Sequence, residues 1–103
     1  MDYKLIFPDE DSHTFIIRFS YELSDAILYK ISGESQFVFR TDEAINQDFR
    51  NSEYPYINAP AVAYPYLRSF ISFITLNSGF APAILPTLNF VEFGRTKISQ
   101  LEK

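Results

Sequence analysis

The chain has 103 residues, with no cysteine, no tryptophan and only three glycines. The lack of cysteine excludes disulfides, thiol catalysis and thiolate metal sites, and it fits a reducing compartment. Three glycines do not form a phosphate-binding glycine loop. The single histidine, His13, is not accompanied by the Gly-x-Ser-x-Gly elbow of a serine hydrolase. We therefore expect no enzymatic activity, no catalytic residue, no cofactor and no metal.

Basic residues are also scarce, because nine Lys and Arg stand against thirteen Asp and Glu, for a net charge of −4. A phosphate binder needs a basic face, so the composition argues against a nucleic-acid partner. The amino terminus has no basic region followed by an apolar core, and no run approaches the ~18 apolar residues typical of a membrane span. We expect a cytoplasmic protein without membrane insertion.

The acidic run Asp9-Glu10-Asp11 near His13 is the one cluster of possible metal ligands or acid–base groups. Consecutive residues of a turn point in different directions, so they seldom converge on one ion. A solvated turn is the better interpretation.

Aromatic residues are abundant, with eleven Phe and seven Tyr. Over the first forty residues the apolar side chains alternate with period two, which is typical of half-buried strands. The pattern predicts three antiparallel strands, with a reversal at Ser24-Asp25 and a bulge or bend at Gly33. Residues 41–57 are irregular, and part of them is predicted to form a fourth strand or an extended arm. The predicted strands cover residues 3–7, 14–23 and 27–40.

A long helix is predicted from Asn58 to Gly79. Asn58 is the expected N-cap, Pro60 lies in the first turn where its missing N–H costs nothing, and Gly79 supplies the C-terminal stop. Pro65 lies one turn further in and is expected to kink the helix. The segment after Gly79 is rich in proline, and a short amphipathic helix is predicted from about Phe90 to Leu101.

The long helix is apolar around nearly its whole circumference. One predicted stripe joins Ala63, Leu67, Phe70 and Ile74 at the spacing of successive turns. A helix that is apolar all round is covered on both sides, and so short a chain covers only one. The pattern therefore predicts self-association, as a dimer or tetramer. The candidate residues of the subunit interface are Tyr66, Leu67, Phe70, Phe73 and Ile74.

A polar seam of Arg68, Ser72 and Thr75 interrupts the apolar surface of this helix. We expect Arg68 to form an ion pair or to bind backbone carbonyls, because a buried arginine must be paired.

The fold class follows from this order of elements. We expect one domain, residues 1–103, of the α+β class, with an antiparallel meander and two helices in two layers. Apolar side chains on the proline-stiffened segment from Phe80 to Phe93 suggest a surface for binding polypeptide, since exposed apolar patches mark binding sites. The alternative is that they fill the core. The candidate peptide-binding residues are Phe80, Ile84, Leu85, Leu88, Phe90 and Phe93.

A family resemblance lies in the helix and the connector. The pattern is Pro65-Tyr66-Leu67-Arg68, then Ile71, Thr75, Gly79, Pro82, Leu85-Pro86 and Leu88-Asn89-Phe90. It resembles the SecB-type protein-export chaperone family and covers about a third of the chain. The resemblance implies a tetrameric holdase with the long helix at the centre of the assembly. It also implies external grooves for unfolded polypeptide, and a translocation ATPase as a further partner, docked on an acidic patch of the sheet.

The chain departs from that family in two places. Family members have four strands before the long helix and an acidic tail after the last one, whereas three strands and no such tail are expected here. Two alternatives therefore stay open. One is a dedicated chaperone of a single partner, such as an antitoxin; the other is an oligomeric interaction module without chaperone activity.

Overall fold

The computed structural model describes residues 1–8, 13–25 and 29–101. A three-stranded antiparallel sheet precedes a long helix and a shorter C-terminal helix, which confirms the predicted α+β class. The chain divides into two compact units, residues 1–50 and 51–103, which are described separately. The single-domain assignment stays a prediction. The elements are β1 (Asp2–Ile6), β2 (Thr14–Asp25), β3 (Tyr29–Arg40), α1 (Gln47–Arg50), a π-helical turn (Tyr54–Asn58), α2 (Ala59–Asn77) and α3 (Phe90–Leu101).

The first unit is a meander in the strand order β1-β2-β3. The predicted alternation is confirmed, because Phe15, Ile17 and Phe19 on β2 are fully buried, as is Tyr3 on β1. The acidic run at residues 9–11 and the start of the predicted third strand at Ile27 lie outside the described residues.

The predicted bulge at Gly33 is wrong. Tyr21 pairs directly with Gly33 within a register that runs unbroken from Thr14 opposite Arg40 to Asp25 opposite Tyr29. A Cβ on Gly33 would lie 3.4 Å from the Tyr21 hydroxyl oxygen and 3.6 Å from its ring. These are ordinary van der Waals distances, so Gly33 lies against the cross-strand tyrosine ring within a regular ladder.

The predicted fourth strand is also wrong, because residues 41–57 contain no strand. Asn46 begins α1 instead, and its Oδ1 accepts a hydrogen bond from the N–H of Phe49 at 2.8 Å. The Phe49 ring then meets Phe15 edge-on at 5.6 Å, and Phe15 stacks on Phe39 at 5.1 Å. This aromatic cluster holds α1 against the sheet of the first unit.

In the second unit, α2 continues directly from the π-helical turn and has no capping residue. Asn58 has helical dihedral angles (φ −71°, ψ −47°) and makes no capping bond through its side chain, so the N-cap prediction is wrong. The helix has already begun one turn earlier, where the Ala59 N–H bonds the Tyr54 carbonyl five residues back. A cap is not required at Asn58, because the preceding turn already continues the helix. Pro60 lies in the first turn of α2, as predicted.

The predicted end of α2 is confirmed. Gly79 has φ +89°, its N–H bonds the carbonyl of Leu76 at 3.1 Å, and the Phe80 N–H bonds the carbonyl of Thr75 at 3.0 Å. These two bonds form a Schellman motif, which favours glycine because of the positive φ.

The bounds of α3 also match the prediction. Asn89 caps this helix by accepting the N–H of Glu92 at 3.3 Å. Gly94 is buried on α3, and a Cβ there would clash with Ile57 Cγ1 and lie 2.5 Å from the Tyr56 carbonyl oxygen. α3 therefore packs closely on the π-helical turn through its glycine.

Candidate functional site

An apolar row lies on the exposed side of α2. Its five side chains are between 48% and 68% exposed, which is unusual for large apolar groups. Their spacing of three or four residues places them on one side of the helix. We call this row the α2 stripe; it consists of Val62, Tyr66, Phe70, Phe73 and Leu76.

The opposite side of α2 is buried. Its row advances four residues at a time through Ala63, Leu67, Ile71 and Thr75. The predicted stripe from Ala63 through Phe70 and Ile74 is therefore wrong in its second half. Phe70 is exposed and Ile74 is half-buried, whereas Ile71 and Thr75 are buried in their place.

The structure separates the predicted interface residues. Tyr66, Phe70 and Phe73 belong to the α2 stripe, and Ile74 lies at its margin. Leu67 is 1% exposed, so its side chain belongs to the interior and offers no area to a second copy. Val62 and Leu76 were not among the predicted interface residues, although their spacing from Tyr66 and Phe73 follows the same helical period.

Between the exposed and buried sides, polar groups of α2 bind the backbone of the connector, residues 81–89. The Ser72 Oγ donates to the Ala83 carbonyl at 2.6 Å, and the Arg68 Nε donates to the Leu85 carbonyl at 3.1 Å. The second prediction for Arg68, binding to a carbonyl, is thus confirmed. The predicted seam holds an extended segment that has no regular structure of its own.

Tyr64 extends this seam by one turn, and the sequence analysis did not single it out. Its hydroxyl donates to the Pro86 carbonyl at 2.5 Å, and its ring meets Phe90 edge-on at 5.3 Å. Burial raises the pKa of the Tyr64 hydroxyl above its ordinary value, while the positive charge of Arg68 acts in the opposite direction. The signal for this contact was its position, four residues before Arg68.

Thr75 is the buried end of the seam. Its Oγ1 donates to the carbonyls of Ile71 and Ser72, both at 3.0 Å, and accepts the Ala83 N–H at 2.8 Å. Seam side chains therefore satisfy both the N–H and the carbonyl of Ala83. We call the four residues Tyr64, Arg68, Ser72 and Thr75 the seam.

The predicted peptide-binding residues are similarly divided. Ile84 is 78% exposed, whereas Leu85 and Phe90 are buried. Leu85 and Phe90 therefore fill the core, which was the alternative prediction for these residues. Phe80, Leu88 and Phe93 are half-buried.

No metal centre is found in the described part of the chain, where no three His, Asp or Glu side chains lie close enough to hold an ion. His13 lies within 3.2 Å of the Thr41 carbonyl through Nδ1. None of the helices in the described ranges is both long and apolar enough to cross a membrane.

The second unit thus combines an exposed apolar face of α2 with a seam that binds the backbone of the connector. No known protein family, curated protein or solved structure matches it.

Proposed function

We propose that this protein is a cytoplasmic holdase that assembles as a homo-oligomer and binds unfolded polypeptide through its remaining apolar surface. The observation that carries the proposal is the α2 stripe. Monomeric proteins seldom leave so many large apolar side chains together in water, and such patches mark interaction sites. The resemblance of residues 65–90 to SecB-type chaperones supports the same proposal.

The size of the stripe suits self-association. Two phenylalanines, one tyrosine, one leucine and one valine at these exposures leave on the order of 500 Å² of apolar surface uncovered. Two copies packed stripe to stripe would bury about 1,000 Å² in total, which is near the lower bound for a specific interface. The α2 stripe is therefore assigned to the subunit contact.

Ile84 is assigned to client binding. It is the most exposed large apolar residue among those described, and the seam holds the backbone on both sides of it through Ala83 and Leu85. An apolar side chain presented on a fixed backbone binds other apolar groups without ordering a loop, so less conformational entropy is lost. Affinity would come from apolar burial at about 25 cal/mol per Å², with little sequence specificity.

An aggregation assay tests the proposal. Chemically unfolded client is diluted into equimolar protein, and light scattering is followed. The wild type should suppress scattering. Ile84→Asp should suppress it less while retaining the wild-type mass, and Val38→Asp, at another exposed position, in the first unit, should behave as the wild type. No suppression by the wild type would refute the holdase proposal.

An interaction module without chaperone activity is the second candidate. It is favoured by the burial of Leu85 and Phe90, which leaves a smaller client surface than the sequence analysis predicted. A stable oligomer without any suppression of aggregation would support it. Delivery of clients to a translocation ATPase, or a role as the dedicated chaperone of one antitoxin, would be narrower forms of the holdase proposal.

A further inference from the structure

An open groove lies between α2 and the connector. It has a volume of about 490 Å³ and is lined by Pro65, Arg68, Ser69, Ser72, Ile84 and Leu85. Ser69 lies close to the α2 stripe on the helix surface, because it follows Tyr66 by three residues and Val62 by seven. The groove therefore borders the α2 stripe on one side, and it includes Ile84, the residue assigned to client binding.

Among the residues that the structure describes, Arg68 is the only charged one that lines this groove. Its Nε donates to the Leu85 carbonyl, and this is the one hydrogen bond that the side chain makes to the described part of the chain. The three ion pairs among the described residues use Arg18, Lys30 and Arg95 as their cations. The two Nη groups of Arg68 are thus left for a ligand.

This fixed guanidinium favours a carboxylate. The bond from Nε orients the plane of the group, and two Nη groups in a plane match the two oxygens of a carboxylate. The groove offers few other polar partners, namely the Ser69 hydroxyl and a Ser72 hydroxyl that already donates to Ala83.

The same shortage of polar groups distinguishes between two sources of carboxylate. An acidic side chain brings peptide units on both of its sides, and their N–H and C=O groups would lose hydrogen bonds beside Ile84 and Leu85. A chain terminus brings a peptide unit on one side only, and its last side chain can lie on the apolar wall of the groove.

We propose that this groove binds the C-terminal carboxylate of an apolar polypeptide, with Arg68 as its charge partner. The inference deepens the proposed function and rests on it for the polypeptide nature of the ligand. It adds a preference for free chain ends, which a purely apolar surface would not show.

The test compares two forms of one fluorescently labelled apolar hexapeptide, with a free carboxylate or with a C-terminal amide. By fluorescence anisotropy at physiological salt, the carboxylate form should bind at least about tenfold more tightly, as expected for a charge-assisted pair. Ser69→Glu should reduce the difference to less than about twofold, because it places a like charge beside the ligand. Ser69 is exposed, so the helix should remain folded.

Asn77→Glu is the matched control, since it adds the same charge at an exposed position eight residues along α2. Asn77, like Ser69, lies beside the α2 stripe, so any loss of the subunit contact is common to both variants. At 1.5 Å per residue Asn77 lies about 12 Å away, beyond the Debye length at physiological salt. The control variant should keep the preference. Equal binding of the two peptides by the wild type, absence of binding by both, or an unchanged preference in Ser69→Glu would each overturn the proposal. If aggregation is still suppressed in any of these cases, the holdase function stands without the carboxylate site.

Discussion

At the scale of single residues, Gly94 is the most tightly enclosed glycine of the chain. We predict that Gly94→Ala destabilises the protein by about 1–3 kcal/mol through overpacking against Ile57 and the Tyr56 carbonyl. Replacing glycine by alanine would also raise the helix propensity of this position by about 1 kcal/mol. The net loss in the free energy of unfolding therefore measures how strongly α3 is held against the π-helical turn. Urea unfolding followed by circular dichroism gives the free energy of unfolding.

Gly79→Ala separates the steric effect from the conformational one. At Gly79 an added Cβ meets no atom within 4 Å, and only the positive φ of 89° opposes it. Its cost should be about 1 kcal/mol. A Gly94→Ala protein as stable as the wild type would show that α3 does not pack on the π-helical turn.

At the scale of elements, the seam determines where the connector lies. We predict that Thr75→Val, which keeps the shape and removes the hydroxyl, costs about 1–3 kcal/mol, because the Ala83 N–H loses its partner. Amide hydrogen exchange at Ala83 should accelerate at the same time. Urea unfolding gives the first quantity and exchange measured by NMR the second.

Thr96→Val is the matched control. Thr96 also donates to a helical carbonyl, that of Glu92 at 3.0 Å, but it is exposed and receives no N–H from another segment. Its loss should change the free energy of unfolding by less than about 0.5 kcal/mol. If Thr75→Val left the exchange of Ala83 unchanged, the seam would not be what holds the connector.

The sequence predicted the positions of the strands and helices better than it predicted which face of α2 is buried. Period-two alternation located the strands, and Gly79 and Phe90 marked the end of one helix and the start of the next. The buried face of α2 was misplaced because Phe70 and Ile71 are both apolar, so hydrophobicity does not decide between them. Thr75 was placed in the polar seam, yet it is also buried, because local carbonyls satisfy its hydroxyl.

The hydrogen-bond partners of the seam could not be predicted from composition. Arg68, Ser72 and Thr75 showed that a polar row existed, but their partners are backbone groups, which every residue carries. Only the folded path of the connector brings Ala83 and Leu85 to these side chains. The π-helical turn was not predicted either, because the sequence Tyr54-Pro55-Tyr56 is typical of an extended arm.

At the scale of the whole molecule, the α2 stripe predicts an oligomer that one charge can dissociate. Phe73 is 62% exposed in the single chain, so Phe73→Glu should leave the fold intact and reduce the mass to that of a monomer. A charge at the centre of the contact would be removed from water without a partner, which costs several kcal/mol. Sedimentation velocity gives the mass, and circular dichroism checks the fold.

Two further glutamates complete this experiment. Leu67→Glu places the charge on the buried side of the same helix and should unfold the chain, because no arrangement of subunits would expose it. Val38→Glu adds the same charge to an exposed position of the first unit and should keep both the fold and the mass. A monomeric wild type, or a Phe73→Glu protein that keeps the wild-type mass, would show that the α2 stripe is not the contact between subunits. If the wild type is a monomer, the α2 stripe would be exposed and free to bind polypeptide directly.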